Sequence, residues 1–155
     1  MMSINVSTQP ISLLLKVIAF ALTIFSSFAN AIDNPDAPDL VAEFEAREKP
    51  LVDSAENTNG YRASLVAYTD YLNFLDKELN EAYKNLQAKL PANKQQQLKQ
   101  SQVAWLKYRD LEFALIENTW TKADFGGSSS ITRGQFKANI VRDRAIQLMH
   151  YTRAH

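Results

Sequence analysis

From Tyr61 to Leu90 apolar side chains return every three or four residues: Leu65, Tyr68, Leu72, Leu75, Leu79, Tyr83, Leu86 and Leu90. That spacing gathers them on one face of a helix, and no Gly or Pro interrupts it, so a helix is predicted over 61–90. Pro91 follows, suited to a helix start because its missing N–H has no intrahelical partner there. A second helix is predicted over 92–121, broken by Gly126 and Gly127. In the stretch Ile131 to Phe136, Thr132 and Gln135 have the spacing of a capping box, and Ile131 and Phe136 that of a hydrophobic staple. The helix they start is predicted to run to about Thr152. Upstream, Leu40, Val41 and Phe44 share one side of a short amphipathic helix over about 39–48, which Pro50 is expected to stop. The rest of 32–60, with Pro35 and Pro38, reads as loop. No stretch alternates as a strand does. The fold class is all-α: an antiparallel helical hairpin with a third helix packed across it, a small helical bundle.

Two polar residues interrupt the stripe Leu98, Gln102, Trp105, Arg109, Phe113, Ile116, Trp120. Asp76, with Asn80 beside it, interrupts the stripe of the preceding helix. Folding the hairpin at 90–94 sets Asp76 opposite Arg109 and Tyr83 opposite Gln102. It also sets Leu79 and Asn80 opposite Trp105, and Leu72 opposite Phe113. Buried polar groups need partners, and these pairings supply them. The expected Asp76–Arg109 pair then fixes the register of the two helices.

The first residues carry a different signal. Leu13 to Phe28 is an apolar run, followed by Ala29-Asn30-Ala31, the form of a secretory signal peptide cleaved after Ala31. As a membrane span the run is short and holds Lys16. Three segments are expected: a signal peptide over 1–31, an acidic, Pro-containing arm over 32–60, and a helical domain over 61–155. After cleavage sixteen basic residues stand against seventeen acidic ones, but unevenly. Asp33 to Glu56 holds eight acids against Arg47 and Lys49, while the remainder holds nine acids against fourteen bases. Such asymmetry bears on partners, whether another protein or the basic body of the same chain.

The chemistry available is narrow. The chain has no Cys, so thiolate metal sites, Cys nucleophiles and disulfides are excluded. Its two histidines, His150 and His155, sit near the C-terminus with no H-E-x-x-H, and no metal or cofactor is expected. No G-x-S-x-G is present. Asp76 with Glu78 or Glu81 makes a poor glycosidase pair, because an Arg partner lowers the pKa that a general acid needs high. An enzyme is not expected. Gly126, Gly127, Ser128 and Arg133 form an exposed candidate loop for an anion or for a partner's cleft, although a helix end followed by a helix start accounts for the same residues. The bases Arg133, Lys137, Arg142, Arg144 and Arg153 read as a solvated face, with near-neutral overall charge arguing against nucleic acid.

Four segments carry a resemblance: Asp76-Lys77-Glu78-Leu79-Asn80-Glu81-Ala82-Tyr83, then Gln102-Val103-Ala104-Trp105-Leu106-Lys107-Tyr108-Arg109-Asp110, then Gly126-Gly127-Ser128, then Arg144 and Leu148. In this order and at these distances, behind a signal peptide, they resemble the lysozyme-inhibitor LprI-like N-terminal domain family over about Ala63 to Tyr151. The resemblance implies a small exported helical domain, periplasmic, that blocks a peptidoglycan hydrolase by occluding its cleft. The partner would be lysozyme or a rival's wall-degrading toxin, in which case the chain is an immunity protein. The competing class is a non-inhibitory scaffold of the cell envelope. Family members usually carry one Cys four residues after the Arg of the W-x-x-x-R-D block and another at the start of the last helix. Phe113 and Phe136 hold those positions here, which implies an aromatic contact in place of a disulfide. Arg144 is expected to pair with a carboxylate such as Asp110.

Overall fold

The computed structural model describes residues 38–155, so the signal peptide and its cleavage site lie outside the described residues. Among those residues the regular structure is entirely helical: α1 (Leu40–Asn57), α2 (Tyr61–Lys89), α3 (Ala92–Thr119), a single turn α4 (Lys122–Phe125) and α5 (Ser129–Arg153). The all-α bundle expected from hydrophobic periodicity is what forms.

α1 starts where its sequence places a cap. The Asp39 carboxylate accepts hydrogen bonds from the Val41 and Ala42 amides at 3.2 and 3.1 Å. The helix then runs through Pro50 instead of stopping there. Proline costs about 3 kcal/mol in a helix interior. Burial on both sides of it offsets that cost: Phe44 and Ala55 lie in the core, and Leu51 and Val52 pack against it. The helix expected over about 39–48 is therefore an 18-residue one that continues to Asn57.

The central element is α5. It runs parallel to α2, with Tyr61 donating to Ser130 near both N-termini (3.1 Å) and Lys89 donating to the Thr152 carbonyl near both C-termini (3.1 Å). This is the most extensive helix contact in the fold. Gly134 makes it close: a Cβ built there would lie 3.1 Å from the Tyr68 Cβ. α1 lies antiparallel to both, joined by Phe44 on Phe74 with ring centroids 6.0 Å apart, and by Arg47 to Glu78 at 2.8 Å. Phe44, Leu75, Leu86, Val141, Ala145 and Leu148 are sealed in the resulting core.

The pairing of helices differs from the one predicted. α2 and α3 barely touch along their lengths; α3 packs instead on α5, antiparallel to it. α5 takes the place beside α2 because it brings Ala138, Val141, Ala145 and Leu148, small enough or well enough shaped for close approach. Asp76 consequently does not face Arg109. It is exposed, and its carbonyl accepts from the Asn80 side chain at 2.7 Å. Nor does Tyr83 meet Gln102, whose carbonyl oxygen accepts from Arg144.

The start of α5 also departs from expectation. It begins at Ser129 after an N-cap Ser128 with no side-chain cap bond, so Thr132 and Gln135 lie inside the helix and form no capping box. Thr132 Oγ1 points back to the Ser128 carbonyl at 3.5 Å. Arg133 ties the first turn down in another way, donating to the Ser129 and Ser130 hydroxyls.

Candidate functional site

The inner stripe of α3 meets α5 in a band of cations and aromatic rings. Arg144, only 7% exposed, donates from Nε to Gln102 Oε1 (3.1 Å), from one terminal nitrogen to Gln147 Oε1 (2.6 Å) and from the other to Ser101 Oγ (3.1 Å). Its guanidinium stands 5.9 Å from the Trp105 ring centroid. Arg109 stands 5.7 Å from both Trp105 and Phe113, and Lys137 stands 5.2 Å from Phe113. Each cation is held in part by a ring face. Burial, opposed only in part by the Tyr151 phenol, holds the Arg144 guanidinium below its usual value; its hydrogen-bond acceptors are all neutral.

Two predicted pairings are corrected here. Asp110 does not reach Arg144; it bonds its neighbour Arg109, at 2.7 and 3.0 Å. Phe113 and Phe136 do not form a ring pair. The register of α3 on α5 brings Trp120 over Phe136, with centroids 4.7 Å apart and planes tilted by 55°. Phe113 lies two turns before Trp120, under Arg109 and Lys137. The two positions where the resemblance implies cysteines thus hold aromatic rings with separate partners. Leu79 sits in the core, with Tyr83 packed against it.

A shallow cleft of about 270 Å³ opens beside this band, lined by Trp105, Tyr108, Ile140, Asp143, Arg144 and Gln147. Arg144 and Gln147 are tied up in internal hydrogen bonds, and nothing in the cleft resembles a nucleophile with its base. Among the described residues no group of three His, Asp or Glu is placed to hold a metal ion.

At the far end of α3 the chain turns sharply. Thr121 caps α4 by accepting from the Asp124 amide at 3.2 Å, and Gly126 takes a left-handed φ of 71°. The turn presents Phe125, 54% exposed, followed by exposed Gly126, Gly127 and Ser128. Arg133 does not join that surface. It points inward, donating to the Trp120 carbonyl and to Ser129 and Ser130, and it pairs with Glu117 at 2.9 Å. Of the four loop residues singled out from the sequence, three are exposed and the fourth anchors them from behind. Exposed aromatic rings at Trp120 or Phe125 would mark a contact patch, and of the two it is Phe125, immediately before Gly126-Gly127, that comes to the surface, while Trp120 is half-buried against Phe136.

The outer face of α3 was not singled out from the sequence. Tyr108, Leu111 and Leu115 are 51, 72 and 57% exposed. Only Leu98 and Ile116 of this helix are buried.

Compared with known families, the chain matches the model described as Lysozyme inhibitor LprI over residues 53–148, a span that contains all the motif residues quoted above. No curated protein and no solved structure matches it.

Proposed function

We propose, from the premise that this chain belongs to the lysozyme inhibitor LprI family, that it is an exported periplasmic protein which binds a peptidoglycan hydrolase and inhibits it without chemistry of its own. The observation that carries this reading is the family match across residues 53–148. The geometry that supports it is the turn Phe125–Ser128: an exposed ring beside two glycines, fixed from behind by Arg133 and by the Trp120–Phe136 pair. A rigid protrusion of that kind enters a concave site at little cost in ordering. The acidic residues of α1 serve a second role. Glu45 and Glu48 are tied to Arg142, but Glu43 and Glu56 are exposed and steer a basic hydrolase towards the inhibitor.

The test is a titration of the mature protein into a peptidoglycan-hydrolysis assay with several lysozymes at two salt concentrations. Dose-dependent inhibition is expected, weakened at least about tenfold by Phe125→Ala with the fold intact. Replacing Glu43 and Glu56 by Gln should slow association and flatten its salt dependence. Absence of inhibition, together with salt-sensitive pelleting on isolated peptidoglycan, would instead support an envelope scaffold.

A further inference from the structure

The outer face of α3 goes beyond this reading. Ala104, Tyr108, Leu111 and Leu115 are spaced four, three and four residues apart, the a/d pattern of a two-stranded coiled coil. All four are exposed. Their stripe extends over about 16 Å of helix. A solvated helix surface is ordinarily polar here, and a line of three large exposed apolar side chains is what a covered face looks like when uncovered.

The flanks of the stripe say what covers it. Lys107 occupies a g position and Glu112 the e position five residues later. They lie on opposite flanks, too far apart to pair on one helix, and among the described residues neither has an ion-pair partner. In a parallel two-fold pair each g residue meets the e residue five positions later on its partner; in an antiparallel pair, like flanks meet and this contact is lost. We infer that α3 is a homodimerisation helix: two copies pack parallel through Ala104, Tyr108, Leu111 and Leu115, with Lys107 of each copy paired to Glu112 of the other. The Phe125 turn follows the end of α3, so such a dimer presents two inhibitory turns at the same end.

The experiment is sedimentation equilibrium of the protein over a wide concentration range, with an orientation test by cross-linking. The average mass should rise with concentration from one chain to two. Leu111→Glu changes a side chain that contributes nothing to the core, so it should leave the helical circular dichroism unchanged and hold the mass at one chain. Lys107→Glu sets acidic groups against each other and should weaken association about tenfold or more. Adding Glu112→Lys to it should restore association to near the original level. The chain has no Cys, so single Ala104→Cys and Leu115→Cys variants give a clean readout. Both should form disulfide dimers under mild oxidation, since like positions meet only in the parallel arrangement. A mass of one chain at every concentration, a dimer indifferent to Leu111→Glu, or a double charge reversal that fails to restore association would each overturn the proposal. A monomer in which Leu111→Glu abolishes hydrolase inhibition would overturn it by giving the face to the hydrolase. A dimer with no inhibitory activity would leave this inference standing and remove the inhibitor reading.

Discussion

α2 and α3 are nearly equal in length, 29 and 28 residues, joined by a two-residue turn, and both rich in apolar side chains. Yet eight residues of α2 are buried and only two of α3. The difference lies in how the apolar residues are arranged. In α2 they fall on one broad face, which α1 and α5 cover from two sides. In α3 they fall on two faces. One carries Trp105, Phe113 and Ile116 towards α5; the other carries Tyr108, Leu111 and Leu115 into solvent. A helix with one apolar face is spent on its own core. A helix with two is shared between its core and something outside it.

The sharpest way to break this comparison is to truncate one leucine on each helix. Leu75 is fully buried, so Leu75→Ala should destabilise the fold by about 2–5 kcal/mol. Leu115→Ala should move stability by no more than about 0.5 kcal/mol at low protein concentration. Chemical denaturation of the two variants checks both. Comparable losses would show that α3 is buried far more than its exposure indicates.

The two sides of α5 also differ in how they hold its arginines. Arg142 meets the Glu48 carboxylate at 2.9 Å and Glu45 at 3.1 Å, and Tyr71 donates to Glu48 at 2.6 Å. Arg144, two residues on, meets only neutral acceptors, from Gln102, Gln147 and Ser101. Glu48→Ala leaves the Tyr71 phenol without its acceptor and Arg142 with the more exposed Glu45 alone, and the expected cost is about 3 kcal/mol. Gln102→Ala removes one neutral acceptor of a charged donor, with an expected cost of about 1.5 kcal/mol. Equal costs, measured by denaturant unfolding, would mean that the ion pair adds nothing to the α1 side beyond a hydrogen bond.

These anchors show where sequence reading succeeds and where it stops. Helix existence was legible, because Leu65 to Leu90 repeat at helical spacing with nothing to break them. Gln102 and Arg109 were legible as polar intruders in need of partners, and both are half-buried with one. Which partner each finds was not, because periodicity places residues on a face without saying which helix covers it. The hairpin assumption put α2 opposite α3, and Asp76 opposite Arg109 followed from it. α5 takes that place through Ala138, Val141, Ala145 and Leu148, and Gly134, with no Cβ, lets it approach Tyr68 closely. Pro50 misled for a related reason: a local helix breaker was overruled by the burial of Phe44 and Ala55 on either side. The loop at Gly126 was legible from its glycines; the inward turn of Arg133 was not, since it depends on the Trp120 carbonyl thirteen residues away.

Gly134 therefore sharpens the comparison directly. Gly134→Ala gains roughly 0.8–1.0 kcal/mol of helix propensity. It also drives a methyl group to 3.1 Å from the Tyr68 side chain, an overpacking that costs about 1–3 kcal/mol. A net loss of about 1 kcal/mol is expected. Adding Tyr68→Phe should not relieve it, because the close atoms are the Tyr68 Cβ and ring carbons and not the hydroxyl. A stabilised Gly134→Ala would mean that α2 and α5 have room to spare.

The smallest effects lie at the two ends of the pH scale, one for each side of α5. On the α3 side, the hydrogen bond from Lys137 first, opposed by partial burial and aided by the charges of Lys137 and Arg133, holds the Glu117 carboxyl below its usual 4.5. A depressed carboxyl stabilises the fold fully above the unfolded value, and the contribution is lost as pH falls through the folded one. Glu117 is half-exposed, so screening keeps this contribution within about 1 kcal/mol. On the α1 side, burial first and then the hydrogen bond to Glu48 push the Tyr71 phenol well above its usual 10.0. A raised phenol stabilises the fold fully below pH 10 and loses its contribution as pH rises through the folded value. Unfolding followed from pH 7 down to about 3 should show wild type and Glu117→Gln converging. The same measurement from pH 9 upward should show Tyr71→Phe losing less stability than wild type. If Glu117→Gln instead tracked wild type in parallel down the acid limb, the ion pair joining α3 to α5 would contribute nothing, and ring faces and neutral hydrogen bonds alone would hold the helix that carries the exposed stripe.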